Sequence, residues 1–378
     1  MTARTITDVI TRMLPPLPAA AHAAAEVLPD WAGPARRHPA AQPWPENLIR
    51  MAVGVVDNTG ATGWFGPVAA SVARLALDQV APAVIGRDLA AWRAMASLAP
   101  QGRHRQGGHL RLAVSAVELA AWDLRSHVTG VPVGGLLAGE RRDRIPVYAT
   151  ALGLDIDHPL APDVAAWLVS EGFWAQKWGL PGAARGETPR ADAARLRCLR
   201  EAAGEQARIC VDVGGRWSAD YARQMLPVLA EVGVCWVEEP DPVSDADLAR
   251  HGLARAAGEH DYEPTDQLRT LGGDVQIWQP DPTWCGGLAH TLSMVELAAR
   301  LGIRSLPHGS GLAVALALAS SAPAEAVPAI EYHLTLEPLR QDHQLKPLVP
   351  VAGHLDARTV AGLTSGYRFA EGDAGAAA

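Results

Sequence analysis

From residue 145 onward the hydrophobic pattern repeats as a short apolar run followed by an amphipathic stretch. The runs are 145–152 (IPVYATAL), 173–178 (FWAQKW), 207–213 (ARICVDV), 234–238 (VCWVE), 255–259 (RAAGE), 275–280 (VQIWQP), 304–307 (RSLP) and 329–333 (AIEYH). Stretches of helical period lie between most of them, for example 188–203, 218–232 and 288–301. Eight strands alternating with helices predict an α/β fold, parallel βαβ units closing into a (β/α)8-type barrel. An open doubly wound sheet is the competitor, but no G-x-G-x-x-G follows the first strand to support its dinucleotide-binding form. Ahead of the barrel, residues 3–13 and 48–56 read as strands. Asp57-Asn58-Thr59-Gly60 is a hairpin turn signal, with a short strand after it that ends near Trp64. The period is helical from 67 to 129, and 110–130 reads as a buried helix stopped by Gly130. Residues 14–46 are rich in Pro and Ala and read as a long loop. Past 345 the rhythm is lost; the tail is expected to pack back on the first domain, with Gly372–Ala378 disordered. The resulting division is an α+β capping domain at 1–135, a barrel at 136–340 and a returning tail at 341–378.

Barrel enzymes carry their chemistry at the C-terminal ends of the strands. Ionisable residues stand where the apolar runs end: Lys177, Asp212, Glu238 with Glu239, Glu259 with His260, Asp281, His308 and Glu331. A single strand-end carboxylate is most simply a helix cap, but seven successive strand ends are hard to obtain from capping alone. Asp212, Glu238 and Glu259 would converge on one side of the mouth, where three carboxylates need protons or a cation. All-oxygen ligation suits Mg2+. Across the mouth, a carboxylate at Asp281 would hold one nitrogen of His308 and make the other an oriented base.

Composition narrows these possibilities. The 378 residues are 48% hydrophobic and 20% charged, with a formal net charge of -8, so a broad basic surface for nucleic acid is not expected. No run of 18 uncharged apolar residues marks a transmembrane helix, and Asp8 and Arg12 interrupt any N-terminal leader. Cys198, Cys210, Cys235 and Cys285 form no C-x-x-C pair and are expected to be buried free thiols of a cytoplasmic protein. Of the 33 basic residues only Lys177 and Lys346 are lysines. A mechanism that needs several active-site lysines is thereby excluded.

The segments AAWDL (120–124), GVPVGGLLAG (130–139), VDVGGRW (211–217), WVEEP (236–240), AGEHDY (257–262), QPDPTWCGG (279–287) and LPHGSG (306–311) together resemble the enolase superfamily, in its mandelate racemase-like subgroup. GEHDY, QPDPTWCGG and PHGSG are most similar to acid-sugar dehydratases of the L-rhamnonate dehydratase type. The resemblance implies a cap made from the N-terminal segment and the tail, closing over the barrel. It implies Asp212, Glu238 and Glu259 as Mg2+ ligands with Glu239 behind them, His308 with Asp281 as the base dyad, and Glu331 as a hydrogen-bond partner of the intermediate. Lys177 matches the first lysine of the family's Lys-x-Lys strand. It further implies a homo-oligomer, a dimer or octamer, that acts on a small sugar acid (aldonate or aldarate) without nucleic-acid or membrane partners.

Three departures stand out. The second lysine is replaced by Gly179, the usual Asp-x-Asn-Gly is Asp-Val-Gly-Gly at 212–215, and the unit between strands four and five is short. With one competent base, the expected reaction is removal of the proton α to a carboxylate and loss of the 3-hydroxyl, giving a 2-keto-3-deoxy acid. The alternatives are a racemase or epimerase with an unidentified second base, and an inactive barrel relative. An unrelated metal-dependent barrel hydrolase would use His ligands on early strands, where none is found. Specificity is expected to come from the 14–46 loop, which contains Trp31, Arg36, Arg37, His38 and Trp44, and from Trp64–Pro67; Arg36 or Arg37 could bind a distal hydroxyl or second carboxylate, with exposed loop charges as the equal alternative.

Overall fold

The computed structural model describes residues 4–16, 33–34, 49–90, 108–138, 142–309, 311–359, 362–372 and 376–377. Most of the 14–46 loop, including Trp31, Arg36, Arg37, His38 and Trp44, lies outside them. The cap is built on three antiparallel strands, Ile6–Met13 (β1), Arg50–Asp57 (β2) and Thr62–Ala69 (β3). The turn between β2 and β3 is held by Asp57, whose Oδ1 accepts from Thr59 N at 2.8 Å and Ala61 N at 3.1 Å. The third strand runs five residues past the expected stop at Trp64. Trp64–Pro67 is therefore sheet, not loop, and its cross-strand partners are Val53 and Gly54.

The barrel follows as Arg144–Thr150 (β4), Gln176–Gly179 (β5), Ile209–Asp212 (β6), Val234–Glu238 (β7), Ala254–Ala257 (β8), Ile277–Trp278 (β9), Arg304–Ser305 (β10) and Ile330–His333 (β11). All eight expected strands are present, paired in parallel and in chain order from β4 to β10, with β11 closing onto β4. Among the described residues β10 and β11 share no ladder. Ser305 N reaches only Ala326 O, at 2.8 Å, in the turn ahead of β11. Between β7 and β8 the helix is only Asp245–Arg250, the short unit expected.

Strand side chains alternate between the two faces of a sheet. One inward layer is apolar: Tyr148, Ala175, Cys210, Trp236, Ala256, Ile277, Leu306 and Ala329 form a single buried cluster. Two residues further along each strand, the next inward layer reads Thr150, Lys177, Asp212, Glu238, Gly258, Gln279, His308 and Glu331. The apolar plug is thus the floor of the polar site. Of the cysteines, Cys210 and Cys285 are buried, whereas Cys198 and Cys235 are exposed, against the expectation of four buried thiols.

Two buried acids of helix Gly108–Thr129 join the cap to the rest of the molecule. Asp123 accepts from Trp64 N at 2.9 Å and from Leu363 N at 2.8 Å, tying β3 to the tail. Glu118 accepts from Leu288 N at 2.9 Å, Ala289 N at 3.0 Å and Trp122 Nε1 at 2.7 Å. It caps the barrel helix Leu288–Arg300, whose own N-cap, Gly287, has no side chain. Free amides at a helix start attract negative charge. A Cβ at Gly287 would stand 2.4 Å from Glu118 Oε2, and the backbone there has φ +100°, so glycine is required twice over.

The tail does return. His354–Asp356 (β12) pairs antiparallel with β4, and Ala376–Ala377 (β13) pairs with Thr11 and Ile10 of β1. The expectation of disorder fails at these two residues because β1 offers them an unpaired edge. No described helix is long and apolar enough to cross a membrane.

Burial pushes the Glu118 carboxyl up from 4.5 to about 7 against its three donors. Its folded value exceeds its unfolded one, so its contribution is fully present below pH 4.5 and is lost as pH rises through about 7. Wild type is expected to lose roughly 3 kcal/mol relative to Glu118→Gln across that window. Urea unfolding of both proteins at pH 5 and pH 8 tests this, and parallel pH profiles would refute it.

Candidate active site

The inward polar layer and the loops just beyond it converge at the barrel mouth. Lys177, 1% exposed, places Nζ 2.8 and 2.9 Å from the two oxygens of Glu238 and 2.9 Å from Glu331 Oε1. Gln279 Nε2 donates to Glu238 Oε2 at 2.7 Å. Glu331 accepts from Thr150 Oγ1 through Oε1 and from Gly309 N at 2.9 Å through Oε2. Gly309 permits that approach, since a Cβ there would press on Glu331 Cγ at 3.1 Å.

The structure brings together the Asp281 and His308 side chains expected at the strand ends. His308 Nδ1 lies 2.8 Å from Asp281 Oδ2. Asp281 is fully buried, and its Oδ1 accepts from both Thr283 N and Thr283 Oγ1 at 2.7 Å. Its plane is therefore fixed, and the imidazole with it. Nε2 of His308 is 3.2 Å from Glu259 Oε2. The Trp284 ring lies 4.9 Å from the His308 ring, and Tyr262 lies 6.2 Å beyond Trp284.

The metal side differs in detail from the expectation. Among the described residues, the acid–imidazole group whose donor atoms lie within 4.8 Å of one another is Glu239, Glu259 and His260. Asp212, Glu238 and Glu259 do not form so compact a trio. Glu238 is drawn to Lys177, and Asp212 Oδ1 accepts from Gly214 N at 2.9 Å. Glu239 enters through the backbone. Strand alternation would turn it away from Glu238, but its φ of 46° bends the chain so that both acids face the mouth. This left-handed conformation costs a non-glycine residue roughly 1–3 kcal/mol. It is held by Glu239 N donating to Ala256 O at 3.0 Å and Gly215 N donating to Glu239 O at 2.9 Å. His260 Nδ1 then lies 2.8 Å from Glu239 Oε1.

Charge is unbalanced across the site. Burial alone would lower Lys177, yet Glu238 and Glu331 raise it well above its ordinary value, so it stays an ammonium. Burial would raise Glu331, but Lys177 and His308 hold it far down. Burial and neighbouring carboxylates push Asp212, Glu238 and Glu259 upward in spite of Lys177. One ammonium does not neutralise this group, and a hard divalent cation fits the oxygen-rich donor set. Burial would lower His308, but Asp281 outweighs it and the ring rises to about 9.

Gln279, Thr150 and Trp284 were not singled out from the sequence. Gln279 and Thr150 could have been found, since each lies two residues past an apolar plug position. Gly179 has no side chain; a Cβ there would stand 2.9 Å from Leu152 Cδ2. At Gly214 the space is open, with Arg216 Nε 3.7 Å from the Cβ position.

Residues 160–368 match the family described as enolase C-terminal domain-like, and residues 48–138 match the N-terminal domain of mandelate racemase / muconate lactonizing enzyme. The fold is similar over 99% of both chains to an enolase protein from a Sargasso Sea environmental sequence, at 25% identity and TM-score 0.77. It is similar to the 3,6-anhydro-D-galactonate cycloisomerase of Zobellia galactanivorans at 25% identity and TM-score 0.70, covering 84% of this chain and 91% of the other. A racemase from Streptomyces coelicolor with bound magnesium matches at 24% identity and TM-score 0.72, covering 93% and 94%.

Removing the Lys177 charge leaves Glu238 and Glu331 buried without their counter-ion. Lys177→Met is expected to cost about 3–5 kcal/mol, read by chemical denaturation, and Lys177→Met/Glu238→Gln to recover part of it. A single mutant as stable as wild type would contradict this account of the node.

Proposed function

We propose that this chain, which belongs to the enolase superfamily and carries the N-terminal domain of its mandelate racemase / muconate lactonizing enzymes, is a sugar-acid dehydratase. It removes the proton α to a carboxylate and expels the hydroxyl of the next carbon. The observation that carries this reading is a single oriented base, His308 on Asp281, with no second base across the mouth from it among the described residues. Asp281 takes Nδ1–H of His308, so in the neutral form of the ring, which a cation held by Glu259 opposite Nε2 would favour over the imidazolium, Nε2 can accept the α-proton. On strand β5, where a second base would stand, Gly179 has no side chain, Leu152 lies against it, and Lys177 is locked as an ammonium.

Lys177 supplies positive charge where the substrate carboxylate gains electron density, already in place before the reaction. Glu331, fixed by Thr150 and Gly309, orients that ammonium. The α C–H bond breaks toward His308, and the electron pair moves onto the carboxylate as an enediolate. The pair then returns to form the C2=C3 bond as the C–O bond to the 3-hydroxyl breaks, and the imidazolium gives its proton to the departing oxygen so that water leaves. The enol product tautomerises to a 2-keto-3-deoxy acid. A racemase would need a base on the opposite face, and the described residues there offer none that is free.

We assign Asp212, Glu238 and Glu259 to hold Mg2+, with Glu239 and His260 bracing Glu259. When bound, the ion supplies Lewis-acid charge at the substrate's carboxylate oxygens. Calorimetric Mg2+ titration is expected to show binding abolished in Asp212→Asn, Glu238→Gln and Glu259→Gln but only weakened about 10–100-fold in Glu239→Gln. Binding lost in Glu239→Gln and kept in Asp212→Asn would move the ion to the Glu239–Glu259–His260 trio.

The reaction itself is tested by incubating the Mg2+-loaded protein with a panel of aldonates and aldarates, and following 2-keto acid formation together with α-proton exchange in D2O. His308→Asn is expected to lower both by about 10^2–10^4-fold. Exchange that survives this substitution, or exchange without keto acid in wild type, would overturn the assignment.

A further inference from the structure

The cysteines are scattered along the sequence, but the barrel sets two of them side by side. Strand β6 pairs with β7 through Ile209–Val234, Val211–Val237 and Asp212–Glu238, with a register shift between the first two pairs. One residue of β6, Cys210, therefore faces two of β7, Cys235 and Trp236, which is the count of a β-bulge. Ile209, Val211, Val234 and Val237 all join the outer core between the barrel and its helices. Cys210 and Trp236 join the apolar plug. Cys235 is the extra residue, and Cys210 donates its S–H to Cys235 Sγ. The two thiols differ in access. Cys210 is buried, whereas Cys235 is exposed at the start of its strand, on the barrel face opposite the mouth.

The setting of Cys235 is basic. Arg208 and Arg200 act on it as positive charges, and the amide of Ile209 hydrogen-bonds it. Among the described residues neither guanidinium pairs with a carboxylate. Arg200 donates to the carbonyl oxygens of Val232, Gly233, Gly204 and Ala207. Arg208 donates to the carbonyl oxygen of Trp174 at 3.2 Å and lies 4.9 Å over the Trp174 ring. Their charge is left to favour an anion nearby. The hydrogen bond from Cys210, with these cations behind it, outweighs partial removal from water and brings the Cys235 thiol down to about 7. About half of it is thiolate at neutral pH, against a few per cent for an ordinary thiol. Of the other two cysteines, Cys285 is buried with Sγ 3.3 Å from Thr291 Oγ1, and Cys198 is exposed on helix Pro189–Ala203. Cys198 is thus an internal control for exposure alone.

We propose that Cys235 and Cys210 form a dithiol that a hydroperoxide oxidises, with Cys235 as the nucleophile and Cys210 as the thiol that resolves it into a disulfide. Adjacent strands lie about 4.8 Å apart, within the roughly 4.4–6.8 Å Cα separation that a disulfide spans. Cys235 Sγ attacks the hydroxyl oxygen of the peroxide. The S–O bond forms, the O–O bond breaks, and the departing oxygen takes a proton from water. The sulfur becomes a sulfenic acid as the peroxide is reduced to an alcohol, or to water. Cys210 Sγ then attacks that sulfur. The S–S bond forms, the S–O bond breaks, and the Cys210 proton leaves with the hydroxyl as water. The bridge joins β6 to β7 beneath the strand ends that carry Asp212 and Glu238. It shares no residue with the proton-abstraction reading and stands or falls apart from it.

The test treats the full-length protein with hydrogen peroxide at neutral pH, without added thiol, and maps its cysteines by mass spectrometry before reduction. A peptide pair joined through Cys210 and Cys235, two hydrogens lighter than the free peptides and separated by dithiothreitol, is expected. Cys210→Ala should instead hold Cys235 as a sulfenic acid that dimedone captures. In the untreated protein, iodoacetamide should alkylate Cys235 about tenfold or more faster than Cys198. Oxidation that stops at Cys235 without the bridge, joins it to another thiol, or reaches Cys198 first overturns the assignment. So does a Cys235 alkylated no faster than Cys198. Should Cys210→Ala fail to fold, the wild-type map and the two alkylation rates decide.

Discussion

Lys177 carries its charge into the middle of a barrel, with Glu238 on one side and Glu331 on the other. An ammonium so fully removed from water is costly unless it is paired and hydrogen-bonded. Here its three donors meet carboxylate oxygens within 3 Å, and the same contacts fix both acids. Glu331 in turn fixes the backbone at Gly309, beside His308, while Glu238 anchors Gln279, which follows β9 two strands away. The geometry around His308 and on the acid-rich side therefore depends on one side chain. The lysine is better described as the keystone of the charge arrangement than as a spare base.

The apolar plug below it makes this possible. Tyr148, Trp236, Ile277 and their neighbours exclude water from beneath the polar layer, so the ion pairs act at low effective dielectric and the mouth is their opening to solvent. Above it, the cap is attached through backbone amides and buried acids. Glu118 and Asp123 each satisfy main-chain groups from segments far away in sequence. Such bonds fix orientation as well as distance, which a purely apolar seam would not.

Much of this was legible in the sequence. The alternation of apolar runs and helical stretches marked all eight barrel strands, and the ionisable residue closing each run pointed to Lys177, Asp281, His308 and Glu331. The resemblance implied Glu239 behind the expected ligands, and strand alternation alone would turn it away from Glu238; the left-handed backbone at that residue reverses this. Gln279 and Thr150 are not ionisable and escaped a search keyed to charge, although the two-residue period from the plug reaches both. The pairing of Ala376–Ala377 with β1 was hidden, since two alanines carry no strand signal of their own.

That last pairing orders events in time. Chain growth produces β1 to β3 first, then the whole barrel, and only afterwards Leu363, which completes the Asp123 junction, and the two residues that cover the edge of β1. A ribosome-bound chain can thus finish its barrel while the cap is still missing a strand and a tether. During that interval the β1 edge is open to pairing with other chains, and the protein's exposure to misassembly ends when the tail arrives.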